Sequence, residues 1–544
     1  MSYLPSTDSV MASVVKTDVE SGLCLALGRD RALSIGEREL LLGGASGCLV
    51  HKEGISIMLH WLPVFDWYAC LLSSFIRFCR RDEAATAHHQ HLHETNFLTD
   101  APARSRLVPL YDVLWVSSSG PELTVDYVAP IASGSSLRLE SWTGRFEGES
   151  SSSPEAIASN LLSRAYGDAK PRKRALVLIN PKSGPGGALA KWERDVRPLF
   201  SAARVDFEVV TLSRGGEAAE LAENVDLLRY DTIVACSGDG TPHEIFNGLA
   251  RRPDAARALA ALAVSHIPCG SGNAMACNLY GSHQPALAAL AIIKGVVTPL
   301  DLVSITQGDR RYVSFLSQAL GIVAESDLAT EHLRWMGSAR FDVGVLARVF
   351  RRKCYPCDLA VKVECGDKDG VRTHYRRQTA INSASLGRER EHEGEGLPPL
   401  RYGTVQDELP PGWELISHDK MGVFYCGNMA YMAPDVNFFP AALASDGCMD
   451  LVLINGDLWP VAALKTLMSV ESGDFFDSPH VSYKKISAYR VIPRDQDDGY
   501  ISIDGERAPF APFQAEVHPG LGRVISKRGF FEASRPTNLD SVEA

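Results

Sequence analysis

Three glycine-rich turns carry the residue types that phosphate chemistry needs. Asn180-Pro181-Lys182-Ser183-Gly184 and Pro185-Gly186-Gly187 follow the apolar run Ala175 to Ile179. Ser237-Gly238-Asp239-Gly240 follows Thr232 to Cys236 and continues into His243, Glu244, Asn247 and Gly248. Cys269-Gly270-Ser271-Gly272-Asn273-Ala274 follows the apolar run Leu259 to Ile267. Small residues let backbone N–H groups approach an anion, and Lys182 adds a point charge. Asp239, held between two glycines, is open to a ligand from several directions, and an ordinary carboxylate is ionised at neutral pH and can accept a hydroxyl proton. There is no GxxxxGK[ST] P-loop, and the third turn is not the dinucleotide fingerprint because Met275 stands where the last glycine belongs. Taken singly, each turn also reads as a plain strand-to-helix connection or a solvated Asp-Gly turn.

In this order and spacing the three motifs resemble the catalytic domain shared by diacylglycerol, ceramide and sphingosine kinases, which is related to the NAD kinases. The resemblance spans about Arg174 to Gly529. Within the group, the segment Ser314 to Phe341 is most similar to the sphingosine, or long-chain base, kinases. The resemblance implies that Asn180, Pro181, Lys182, Thr211, Glu244, Gly270, Ser271, Gly272 and Asn273 hold ATP. It places Arg334 and Arg340 on the ATP phosphates and returns Asp504-Gly505-Glu506 to the nucleotide. It puts Ser317 and Asp327 on a sphingoid head group, Ser237, Gly238 and Gly240 beside the acceptor, and Asp239 in the role of general base. The implied cofactors are ATP and Mg²⁺, with the metal ligands unassigned. The implied reaction converts the primary hydroxyl of sphingosine, dihydrosphingosine or phytosphingosine to the 1-phosphate. After Thr211, Leu212 to Glu217 departs from the family's Thr-rich sequence, whereas Glu325 and Ser326 differ but leave Asp327 in place.

The chemistry of those residue types agrees. A sphingoid base carries an ammonium group, so a carboxylate such as Asp327 makes a charge-assisted hydrogen bond that diacylglycerol cannot. Phosphoryl transfer chiefly requires positioning and charge neutralisation, for which Lys182, Arg334, Arg340 and the turn amides are suited. Without the resemblance, Arg334 and Arg340 read as a solvated helix face and Asp504-Gly505 as a hairpin turn. The alternatives are a ceramide or diacylglycerol kinase of the same fold, a catalytically weak lipid-binding scaffold, and, least of all, an NAD kinase.

These residues need a scaffold, and the hydrophobic pattern supplies one. From 171 to 305, apolar strands alternate with helices (Ala188 to Phe200, Gly216 to Leu227), which predicts an α/β nucleotide-binding domain with a largely parallel sheet. From 306 to 530, many short strands with turn residues between them predict a β-sandwich that binds lipid, with a hydrophilic surface insertion at 387–412. Leu316, Leu320, Ile322, Val323, Leu328, Phe341, Val345, Leu346 and Phe350 are candidates for lining an acyl tunnel. Residues 1–170 form a β-rich accessory region that resembles a pleckstrin-homology module in outline, with strands at Leu23 to Leu27, Leu107 to Val116 and Leu123 to Val128 and a closing helix, Glu155 to Tyr166. A basic linker, Lys170 to Arg174, joins it to the α/β domain, and 531–544 is a tail.

The 544 residues correspond to about three domains. With 45% hydrophobic and 22% charged residues, wholesale disorder, collagen and coiled coil are excluded. Lys+Arg 55 against Asp+Glu 66 gives a net charge of -11, which provides no general attraction for nucleic acid or anionic lipid. A cytoplasmic enzyme in peripheral contact with a membrane, with homo-oligomers open, is therefore expected to use local patches. The 12 cysteines are scattered; Cys354 and Cys357 form a CxxC beside Cys365, but neither a disulfide framework nor a zinc finger is expected. Ile55 to Cys79 is the most apolar stretch, interrupted by His60, Pro63, Asp66 and Arg77, and reads as a core segment, an insertion, or an interfacial or acylated anchor.

Overall fold

The computed structural model describes residues 23–27, 31–35, 39–43, 106–131, 136–146, 153–328, 348–384 and 395–539. Ile55 to Cys79, Arg334, Arg340, Phe341, Val345 and Leu346 lie outside the described residues. The chain divides into two units, residues 1–107 with 144–150, and residues 108–143 with 151–544. In the first, β1 (Leu23–Leu27), β2 (Arg31–Ile35) and β3 (Glu39–Gly43) form an antiparallel meander.

The second unit opens with a three-stranded sheet of β4 (Val113–Ser119), β5 (Glu122–Pro130) and β6 (Leu137–Arg145). The expected strand Leu107 to Val116 is broken at Pro109, which has no N–H to give a ladder, and Leu110–Asp112 turns as a 3-10 helix. Helix α1 (Pro154–Tyr166) starts with Ser153 accepting from the Ala156 N–H at 3.3 Å and Pro154 at its first turn, and Gly167, with a positive φ of 53°, ends it. Tyr166 then donates its hydroxyl to Leu114 O at 2.7 Å, pinning the helix to β4.

The α/β layer contains β7 (Arg174–Ile179), β8 (Asp206–Thr211), α2 (Glu217–Glu223), β9 (Thr232–Ser237), α3 (Gly240–Ala250), β10 (Ala263–Pro268), α4 (Ala274–Tyr280) and α5 (Pro285–Lys294). The strands run parallel in the order β8-β7-β9-β10. Both faces of β7, β9 and β10 are covered, which is why β7 and β9 read as nearly continuous apolar runs rather than alternating ones. The apolar run Leu259 to Ile267 is divided, its first part ending the helix Ala255–Ala261 and the rest forming β10. Strand order reverses between β7 and β9, so a crevice opens at their carboxyl ends. Two of the three glycine turns leave the sheet there.

Lys170 to Arg174 is docked rather than free: Lys173 is buried and donates to Lys170 O and Ile293 O. Lys294, closing α5, donates to Val113 O at 2.7 Å and Ala165 O at 2.6 Å and lies 4.0 Å over the Tyr166 ring. Burial lowers its pKa to about 7. These contacts lock β4 and α1 onto the α/β layer.

The other strands of the same large sheet are β11 (Val296–Gln307), β12 (Arg310–Ser314), β13 (Ser317–Gly321), β14 (Cys357–Cys365), β15 (Glu414–His418), β16 (Met421–Gly427), β17 (Met449–Asn455), β18 (Ser482–Pro493), β19 (Ile501–Ile503), β20 (Glu506–Ala508) and β21 (Phe513–Ser526). They form a β-sandwich whose core includes Leu320, Phe424, Tyr489, Ile503 and Phe513. Helices α6 (Ile322–Leu328) and α7 (Lys368–Ala384) also belong to this part. Strand β21 joins the two architectures, pairing parallel with β10 at Val264 and Val524 and antiparallel with β11 and β18.

The insertion at 387–412 is more than surface. Its described part, 395–412, is fastened to the sandwich: Glu516 accepts the backbone N–H groups of Arg401 and Tyr402 at 2.9 and 3.1 Å, and Arg490 donates to Thr404 O and Asp407 O. Burying two side chains of high charge requires such partners, and the loop backbone provides them. Among the described residues no helix is long and apolar enough to cross a membrane.

Candidate active site

Asp239 stands at the junction of β9 and α3, yet its carboxylate does not cap its own helix. It turns to the first turn of α4, where Oδ2 accepts from Ala274 N and Oδ1 from Met275 N, both at 3.0 Å. Each oxygen retains a lone pair, and the side chain is 14% exposed, so a ligand can reach it.

The glycines around it are required by close approach. A Cβ on Gly270 would lie 2.5 Å from Gly238 Cα, and one on Gly184 would lie 2.8 Å from Cys269 O. The first and second turns therefore each approach the third too closely for a side chain at these positions. Asn273 locks the third turn: its Oδ1 accepts from Gly270 N at 2.8 Å, its Nδ2 donates to Gly270 O at 2.9 Å, and its own φ is 55°. In the first turn Asn180 Oδ1 accepts from Lys182 N at 3.1 Å, and the Ser183 hydroxyl accepts from Gly238 N at 3.2 Å. Thr211 ends β8 opposite Ile179, at the same edge as Asn180. Ser237 is fully buried with its hydroxyl on Gly238 O, so it shapes the turn rather than facing the crevice.

The second lobe is brought in by Asp504. Asp504 and Gly505, with φ 53° and 82°, are the two turn residues of the β19–β20 hairpin. The carboxylate points inward, not at the crevice, and takes five donors or shared protons: the backbone N–H groups of Phe315, Leu316 and Ser317, the Ser314 hydroxyl and His243 Nδ1. Asp504 N donates back to Ser317 O at 2.7 Å. A Cβ on Gly505 would be 3.9 Å from Asp327 Oδ2, so Ser317, Asp327 and the hairpin turn are brought together. Glu506, exposed, places Oε1 2.7 Å from where a Gly240 Cβ would be. Glu244 Oε1 accepts from Gly216 N at 3.0 Å.

Between the lobes lies a cavity of about 800 Å³ bordered by Gly240, His243, Glu244, Tyr312 and Glu506. Four arginines, Arg251, Arg310, Arg311 and Arg507, also line it, and none was singled out from the sequence. The adjacent pair Arg310-Arg311 at the start of a strand was the available signal. Burial lowers the pKa of Arg311. Of the tunnel candidates, Leu320 is in the sandwich core, Ile322 packs in a second core, and Phe350 is 63% exposed. Arg334 and Arg340 lie outside the described residues.

Residues 174–305 match the diacylglycerol kinase catalytic domain, residues 416–526 the YegS C-terminal NAD kinase beta sandwich-like domain, and residues 70–167 a domain of unknown function. The chain is 33% identical to sphingoid long chain base kinase 5 of Saccharomyces cerevisiae over 71% of this chain and 63% of that protein. It thus spans less than two thirds of that relative. It is 32% identical to sphingoid long chain base kinase 4 of Schizosaccharomyces pombe over 78% of this chain and 89% of that protein. It is 27% identical to human sphingosine kinase 1 over 65% of this chain and 91% of that protein. A solved diacylglycerol kinase from Bacillus anthracis covers 65% of this chain and 97% of its own at 17% identity, with a TM-score of 0.44.

Proposed function

The chain belongs to the sphingoid long chain base kinase family, and from that premise we propose that it uses ATP to phosphorylate the primary hydroxyl of a sphingoid base, with Asp239 as general base. The observation that carries this is the placement of Asp239 at the mouth of three closely packed glycine turns, fixed by the Ala274 and Met275 amides.

The chemistry of the cradle and of the cavity beside it suits ATP. The turns offer backbone N–H groups, and Lys182 with the arginine-lined cavity offers cations for the phosphates. Glu506 and Glu244 offer the hard oxygen ligands that Mg²⁺ takes; bound there, the ion would neutralise phosphate charge. The chain's own residues do the rest. Asp239 accepts the proton of the attacking hydroxyl, and the Met275 and Ala274 amides keep its carboxylate aimed. Asp504 ties the strand that carries Ser317 to α3 through His243, which holds acceptor and base in one frame. Asp327 pairs with the sphingoid ammonium and so selects against neutral lipids.

The acceptor is dissolved in a membrane, while the chain's net charge is -11. Peripheral contact is supported by exposed Trp459, Val461 and Phe350, with the Arg352 guanidinium 5.7 Å from the Trp459 ring centroid.

The selectivity assignment is tested by Asp327→Asn. Turnover of sphingosine should fall at least about 100-fold while ATP binding persists; unchanged sphingosine turnover would sink the assignment.

A further inference from the structure

Strand β10 is buried throughout, and one of its residues, His266, is a titratable group with no role in the reaction outlined above. Its Nε2 lies 2.8 Å from Ser237 O, which can only accept. Nε2 therefore carries the hydrogen, and in the neutral ring Nδ1 is a bare acceptor. That Nδ1 is buried without a hydrogen-bond partner and stands 3.8 Å from Asp239 Oδ1.

The surroundings keep the ring neutral. Burial lowers the imidazole pKa, outweighing the Asp239 charge and the Ser237 carbonyl, which raise it. Tyr280 on α4 accepts the His266 backbone N–H at 3.1 Å through its hydroxyl, and burial raises the pKa of that phenol. Cys277 on α4, near Asp239, is pushed up to about 12 by burial, so its thiol stays protonated. An acceptor nitrogen thus faces a carboxylate that has no proton to give. With the ring neutral, the contact becomes a hydrogen bond once the carboxyl carries a proton, which is the state that follows phosphoryl transfer.

We propose that His266 is a positioning residue for the transfer, accepting a hydrogen bond from Asp239 once Asp239 has taken the substrate's proton. The inference rests on the assignment of Asp239 as the base. In the step, the acceptor O–H bond breaks and its proton moves to the Asp239 carboxylate. The hydroxyl oxygen bonds to the γ-phosphorus, and the bond from that phosphorus to the bridging oxygen breaks, its electron pair leaving with ADP. The new carboxylic acid donates to His266 Nδ1, closing the 3.8 Å gap. After the lipid phosphate departs, Asp239 returns the proton to water.

The test is His266→Gln in the full chain. A glutamine amide reaches the Nε2 position and keeps the bond to Ser237 O, but presents nothing where Nδ1 was. The expected result is a roughly ten-fold or greater fall in kcat with KM for ATP unchanged. The acid limb of the kcat profile should also move to lower pH, because a protonated base loses its acceptor. An unchanged kcat and acid limb, or a loss seen only in KM, overturns the proposal. If the variant does not fold, the wild-type protein labelled with ¹⁵N-histidine decides. A bare Nδ1 whose resonance responds to Asp239→Asn supports the proposal; a protonated Nδ1, or one that does not respond, overturns it. Asp239→Asn also separates the two assignments, since an active Asp239→Asn removes the base itself, whereas an inactive one beside an unaltered His266→Gln removes only the role of His266.

Discussion

His243 Nδ1 and Asp504 Oδ2 lie 2.7 Å apart, joining the helix that begins at Asp239 to the hairpin turn that holds the strand of Ser317. Burial works against the imidazolium, but the hydrogen bond and the charges of Asp504, Glu506 and Glu244 outweigh it, so the pKa of His243 is raised. The contact thus links the two lobes at the edge of the cavity, with the Asp504 carboxylate fully buried and the imidazole partly so.

Replacing Asp504 with Asn should therefore damage both stability and catalysis. The amide nitrogen would face N–H donors that now point at a carboxylate oxygen, and the His243 ring would lose its carboxylate partner. A loss of about 3 kcal/mol is expected from breaking a buried pair, measured by denaturant unfolding. The kcat should fall more than KM for ATP changes, because Asp504 positions the lobes and does not touch the phosphates.

Gly270→Ala tests the cradle. Its Cβ would lie 2.5 Å from Gly238 Cα, a backbone atom that cannot rotate away. Nucleotide binding should be lost or weakened by at least ten-fold, with destabilisation of about 1–3 kcal/mol from overpacking. Calorimetric titration with ATP and a melting curve check both parts. A variant that binds ATP as well as the wild type would mean that the turns do not approach one another as closely as described.

A pH dependence should come from a second buried cluster, in the sandwich. His374 Nε2 lies 3.0 Å from Asp446 Oδ2, and fully buried Lys485 pairs with Asp446 and Asp450 at 2.8 Å each. The hydrogen bonds to Asp446 and Cys365 raise the His374 pKa to about 9. A pKa raised on folding gives stability that is complete below the unfolded value, near 6.5, and is lost as pH rises through the folded value. Between about pH 6.5 and 9 the protein should lose on the order of 2–3 kcal/mol from this group. Unfolding measured across that range should show the decline, and His374→Gln should flatten it.

The parallel sheet was legible because β7 and β9 are largely apolar runs followed by glycine-containing turns, and a buried parallel strand leaves that trace. The role of Asp504 was only half legible. Asp-Gly announces a hairpin turn, but the direction of the carboxylate depends on Phe315, Leu316 and Ser317, nearly 190 residues earlier. His266 was hidden by its neighbours, since one histidine in an apolar run barely alters the pattern. The union of sandwich and α/β sheet was invisible, because β21 takes three partners along 14 residues and no local period records that. The docking of 395–412 was missed for a similar reason: polar loop residues look solvated until Glu516 and Arg490 are seen to reach them.

Everything proposed for the site turns on Asp239 deprotonating a sphingoid hydroxyl for attack on ATP. It is tested most directly by transfer of labelled γ-phosphate from ATP to sphingosine, ceramide and diacylglycerol in mixed micelles, with wild type and Asp239→Asn side by side. The wild type should yield labelled sphingosine 1-phosphate with little or no label on the other two lipids, and the variant a rate lower by about 100-fold or more. Label on ceramide or diacylglycerol in preference to sphingosine, or an Asp239→Asn rate equal to the wild type, would contradict it.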